Sequence, residues 1–147
     1  MALESSSYEE EEEEEEAPAV AATTEPSVRK FAVPSKHFVA SIQGRKTEIV
    51  QFSYDDYILV IVTQVGKLGT LLHARKEEGY GTAPTFNVSI VMGKRDEPLL
   101  VACARQLIEH ISKDGSSRPL VLSLGLSDHS MDTLKEIIEV VTSNKIW

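Results

Sequence analysis

The chain holds one cysteine, Cys103, among 147 residues. An internal disulfide is therefore excluded, and a reducing compartment is the expected setting. Long apolar runs are missing as well. None approaches the roughly 20 residues that cross a bilayer, so no membrane partner is expected. Met1–Ser7 carries neither the apolar core nor the basic flank of a secretory signal, and the acid that follows is foreign to transit peptides. The expected location is the cytoplasm, with the nucleus also open to a protein this small. Positive charge is scarce too: Lys and Arg total 15 against 23 Asp and Glu, a net charge of −8. Glu9–Glu16 is an unbroken acidic run, and without it acids and bases balance. A neutral folded part has no electrostatic footprint for a phosphate backbone, so nucleic acid is not an expected partner.

The length suits one domain and a tail, and is short for two ordinary domains. Glutamates packed this densely repel each other and offer nothing to bury, so residues 1–34 are expected to form a disordered acidic tail. Residues 35–147 are expected to form a single α+β domain.

That domain is organised around Tyr57–Thr70. Ile58–Val62 is five branched apolar residues in a row, closed by Gly66 and Gly69. Successive side chains of a strand point to opposite faces, so an unbroken apolar run means a central strand that is dry on both. The pieces around it read as strands joined by short turns. His37–Gln43 and Thr47–Ser53 precede it, Thr70–Ala74 follows the Gly66-Lys67-Leu68-Gly69 turn, and Thr85–Met92 follows a charged, glycine-bearing loop. Short connections between consecutive strands imply an antiparallel meander. The period then changes to that of a helix. Asp96 is positioned to cap it and Pro98 suits its first turn. Leu100, Cys103, Ala104, Leu107, Ile108 and Ile111 share one face. Pro119–Leu126 alternates as a further strand, with Leu120, Leu122, Leu124 and Leu126 on one face. Ser130 can cap a second helix, with Met131, Leu134, Ile137, Ile138 and Val141 on its apolar side.

The expected architecture is an antiparallel sheet of about six strands with two amphipathic helices on one face. Helices on one face leave the other uncovered, and monomers rarely leave more than a few hundred Å² of apolar patch open to water. A sheet-to-sheet dimer is expected, burying roughly 1,200–2,000 Å². Val50, Phe52, Ile58, Val60 and Val62 are the candidates for that dimer face.

Little else in the chain suggests chemistry. Gly66-Lys67-Leu68-Gly69-Thr70 lacks the spacing of a phosphate loop and is followed by a strand, so its glycines read as turn residues. Cys103 and His110 lie two helical turns apart, about 10 Å, too far for a thiolate–imidazole pair. His37, His73, His110 and His129 have no ligand spacing, and no metal is expected. No nucleophile, base and orienting group combine, so no enzyme is expected. Trp147 reads either as a plug for the last helix or as an anchor for a partner.

Several segments resemble a known family. They are Ile58–Leu71 (with its Thr-Gln-x-Gly-Lys-x-Gly-Thr block), Gly93-Lys94-Arg95-Asp96-Glu97-Pro98-Leu99, Asp128-His129-Ser130-Met131 and the closing Ile146-Trp147. Together they are similar to the proteasome assembly chaperone 3 family, over about Thr47 to Trp147. The acidic tail departs from the family's compact animal forms, and its composition resembles a plant homologue. The resemblance implies a non-enzymatic chaperone, without cofactors, that promotes formation of the α-ring of the proteasome core particle. It implies a dimer, with itself or with the fourth proteasome assembly chaperone, that binds α-type subunits, notably the fifth. The strongest matches fall at loops, where binding residues concentrate. They make Gln64, Gly66, Lys67, Gly69 and Thr70, with Asp96 and Glu97, the candidate partner-binding residues. The rival from another class is a scaffold or trafficking adaptor of longin-like size whose acidic tail engages a basic partner.

Overall fold

A computed structural model describes Val33–Trp147. The glutamate run and nearly all of the expected acidic tail lie outside the described residues. The elements are β1 (Ser35–Ile42), β2 (Arg45–Ser53), β3 (Ile58–Thr63), β4 (Thr70–Glu77), β5 (Thr85–Met92), α1 (Pro98–Lys113), β6 (Leu120–Gly125) and α2 (Met131–Ser143).

The six strands form one sheet in the order β1-β2-β3-β6-β4-β5. This corrects the expected meander. β1–β2–β3 is an antiparallel unit and β4–β5 a hairpin, but β6 enters between them. It pairs parallel to β3 and antiparallel to β4. The sheet is therefore mixed, and the β3–β4 connection is no hairpin, because it must step across the end of β6. Two small residues make that crossing possible. A Cβ on Gly69 would overlap the Leu124 carbonyl, and one on Gly125 would overlap the Lys67 carbonyl. Gly69 also sits at φ 70°, where a side chain is strained.

Both helices pack on one face. α1 lies over β4, β5 and β6, α2 reaches β1, and the helices touch each other. All six residues expected on the apolar side of α1 are buried, as are Leu134, Ile137, Ile138 and Val141 of α2. Met131, the remaining member of the α2 set, is 55% exposed. The sheet supplies Ile42, Ile49, Ile58, Val60, Val62, Leu72, Ala74, Leu120, Leu122 and Leu124 to the same core.

The caps follow the sequence at one helix and depart from it at the other. Ser130 Oγ accepts from the Thr133 amide at 3.3 Å, as a capping serine should. At α1 the N-cap is Glu97 rather than Asp96, and no side chain bonds the free amides. The Glu97 carboxylate turns instead to His129 Nδ1 at 3.3 Å, while Asp96 is exposed. Trp147 docks on its own domain. Its indole packs against the core and its Nε1–H donates to Asp114 Oδ2 at 2.9 Å. Lys145 Nζ meets the same oxygen at 3.0 Å. These two donors, the indole first, hold the Asp114 carboxyl below its ordinary range.

Candidate functional site

The register places the second face of the sheet residue by residue, because directly paired residues share a face. One row runs Val50, Ile61, Ser123, Leu71, Met92 across five strands; the next runs Phe52, Leu59, Val121, His73, Ser89. Val50, Phe52, Leu59, Ile61, Leu71 and Val121 are half-buried by their own neighbours, and Met92 is 59% exposed. Among the described residues no helix packs on this side. Of the expected dimer-face residues, Val50 and Phe52 lie here. Ile58, Val60 and Val62 do not: each has 0% exposure and faces the helices. The apolar run is two-faced as expected, but its odd-numbered members, Leu59 and Ile61, are the ones left facing outward. A bulge between Leu71 and Leu72 adds Met92 to the outward row. Aromatic rings extend the apolar surface past the strand ends: Phe52 and Tyr54 centroids are 6.0 Å apart, and Tyr54 stacks on Tyr57 at 4.7 Å.

Along one end of this face lies the Gln64–Thr70 connection. Thr63 Oγ1 begins it, accepting from the amides of Val65 (3.3 Å), Gly66 (2.8 Å) and Lys67 (3.1 Å). A threonine hydroxyl thus organises three successive backbone donors into a tight turn. Gln64 is a structural hub rather than a displayed group. Its Nε2 donates to Thr47 Oγ1 at 3.2 Å, and its Oε1 accepts from the Ser127 amide at 3.0 Å and the Ser127 hydroxyl at 3.2 Å. Arg45 Nη1 donates to the same Ser127 hydroxyl at 3.2 Å. The Ser123 hydroxyl donates to the Leu68 carbonyl and ties the crossing to β6. Thr70 is buried against Gly93, where a Cβ would come within 2.8 Å of Thr70 Cα.

Folding therefore brings the two predicted loops to one end of the sheet. Within them the roles divide. Gln64, Gly69 and Thr70 hold the shape, and Gly66, at φ 73°, supplies the turn. What the loop offers to solvent is Lys67 together with Val65 (48% exposed) and Leu68 (58% exposed). The Lys67 ammonium has no ion-pair or hydrogen-bond partner among the described residues. At the second loop, Glu97 is tied to His129 and stands 3.9 Å from Lys94, leaving Asp96 displayed. A polar cleft of about 200 Å³ lined by Lys46, Glu48, Thr63, Gln64 and Gly66 adjoins the first loop. Thr63, Ser127 and His129 were missed as site residues. Thr63 and His129 sit inside matched segments, but only the three-dimensional hydrogen bonds give them work.

Asp128 closes the arrangement. Its carboxylate accepts from Thr133 Oγ1, from Ser130 Oγ at 2.8 Å and from the Ser130 amide at 3.2 Å. Those bonds, Thr133 first, hold it below the usual carboxylate range. Among the described residues no cluster of three or more His, Cys, Asp or Glu is placed to hold a metal ion. Burial pushes the Cys103 thiol up to about 12, leaving it protonated and unreactive at neutral pH.

Comparison with known proteins places the chain. A family model described as proteasome assembly chaperone 3 matches residues 60–144, from β3 to the end of α2, including both loops. The cattle (Bos taurus) protein named proteasome assembly chaperone 3 is 32% identical over 115 residues, covering 77% of this chain and 93% of that protein. The human protein of the same name is 31% identical over 117 residues, covering 78% and 95%. A crystal structure of a chaperone complex for yeast 20S proteasome assembly contains a chain with the same fold. Its TM-score is 0.61 at 12% identity, over 74% of this chain and 96% of that one. On the family match and the identity along most of its length, the chain belongs to the proteasome assembly chaperone 3 family.

Proposed function

We propose that this protein is a non-enzymatic chaperone that promotes formation of the α-ring of the proteasome core particle. It acts as a dimer, with a second copy or with the fourth proteasome assembly chaperone, in the cytoplasm and also in the nucleus. The observation that carries the reading is the uncovered second face. Val50, Ile61 and Leu71 in one row, with Phe52, Leu59 and Val121 in the next, form a surface that the two helices leave to another molecule. A second sheet laid on it would bury both.

The loop end beside that face is the surface for the client. Lys67, Val65 and Leu68 stand on a turn braced by Thr63, Gln64 and Ser123, so little conformational entropy is lost when they engage. The partner is an α-type proteasome subunit, notably the fifth. A rigid dimer would template neighbouring subunits and be displaced when incoming subunits compete for the same surface. Affinity capture tests this directly. The wild-type chain should retain α-type subunits from extract, and Lys67→Glu should retain several-fold less while keeping its dimer. Equal retention removes the loop assignment; failure of the wild type to retain any α-type subunit removes the function.

A further inference from the structure

The two edges of the sheet are guarded unequally. β1 carries Lys36 and His37 and is preceded by Pro34. His37 pairs with Glu48 at 3.5 Å, and Lys36 Nζ lies 3.5 Å from the Lys145 carbonyl after α2. Charge, proline and a covering segment are the usual defences of an edge strand. β5 is likewise preceded by a proline, Pro84, but Thr85-Phe-Asn-Val-Ser-Ile-Val-Met92 carries no charge along its eight residues, and among the described residues no segment covers its outer edge. Asn87 Nδ2 donates to Glu77 Oε2 of the neighbouring β4 at 3.3 Å. The outer backbone edge is touched at its far end, where Arg95 Nη1 donates to the Ile90 carbonyl at 3.3 Å. That contact marks Phe86, Val88 and Ile90 as the residues whose backbone groups face outward.

We infer that β5 is a second self-association surface, pairing antiparallel with β5 of another copy about a two-fold axis through Val88. The reason is that the strand is complementary to itself. In that register Phe86 lies opposite the other copy's Ile90, its amide replacing Arg95 at the Ile90 carbonyl, and Val88 lies opposite its counterpart. These residues already face the helix-covered side. Asn87 falls opposite Ser89 on the second face, two small polar groups on the exposed side. Both copies keep apolar with apolar and polar with polar, as a closed two-fold interface requires. The contact uses an edge, not a face. It can therefore join two face-paired dimers, and it stands apart from the interface proposed above.

Cysteine cross-linking tests the register. The double variant Asn87→Cys/Ser89→Cys should form a disulfide-linked dimer under mild oxidation, at least tenfold faster than Ser117→Cys at an unrelated exposed position; the buried Cys103 stays out of the reaction. Charge exchange tests the contact. With Ile61→Lys added to suppress face pairing, residual association in sedimentation should vanish in Asn87→Lys/Ser89→Lys. It should return when that variant is mixed with Asn87→Glu/Ser89→Glu. Cross-linking no faster than the control, or residual association that ignores the β5 charges, overturns the inference. Neither result bears on face pairing, which Ile61→Lys reports without touching β5.

Discussion

The two faces of the sheet are built from the same kinds of residue and meet different fates. Val60 and Leu122 are fully buried under α1 and α2; Leu59, Ile61 and Val121, one position along the same strands, look out the other way. The difference lies in which parity the helices chose. A face covered by its own chain contributes to folding, whereas a face left open contributes to association.

Substitutions that separate the two contributions sharpen the contrast. Leu122→Ala should lower unfolding free energy by about 2–5 kcal/mol, the range for a fully buried leucine. Ile61→Ser should change the monomer's stability by no more than about 1 kcal/mol, the span of strand preferences. Denaturant unfolding measures both, and equal losses would break the distinction. Next come the two glycines of the crossing. Gly66→Ala meets open space and pays only for its left-handed backbone, about 1–2 kcal/mol. Gly69→Ala shares that strain and also drives a methyl into Leu124 and Gly125, so its thermal midpoint should fall further. A reversed order would contradict the crossing described for β6.

Much of this was legible in the sequence. The helical period of Leu100–Ile111 named the buried side of α1 residue for residue, because a covered helix needs one apolar stripe. Ile58–Val62 announced a strand apolar on both faces. Its parity was not legible, since an unbroken apolar run has no polar residue to label the outer face. Nor was the place of β6. Alternation in Leu120–Gly125 says which residues share a face, not which strands lie alongside. The β3–β4 turn looked like a hairpin for the same reason. The candidate loops were found through resemblance, and their internal bracing was not. Thr63 to three amides and Gln64 to Ser127 join residues whose chemistry is ordinary until the fold brings them together.

Smaller effects belong to the loop before α2. Ser130→Ala should cost about 1 kcal/mol in thermal unfolding, the usual loss of a helix cap. Asp128, held below its ordinary range by Thr133 and Ser130, stabilises the fold above the ordinary carboxylate pKa. That contribution is lost as pH falls through its depressed value. Asp128→Asn should therefore be less stable at neutral pH and lose part of the acid dependence, read from unfolding midpoints across pH. An unchanged pH profile would show that the carboxylate carries no such linkage.

Sedimentation velocity at micromolar concentration weighs the open face most directly, with the full chain alone and mixed with a fourth assembly chaperone. The expected result is association into species of two chains or more in at least one of these samples, cut by Ile61→Lys to the residual β5 pairing that Asn87→Lys/Ser89→Lys removes, without loss of the folded domain. Single chains in both wild-type samples, or a dimer indifferent to Ile61→Lys, would contradict it.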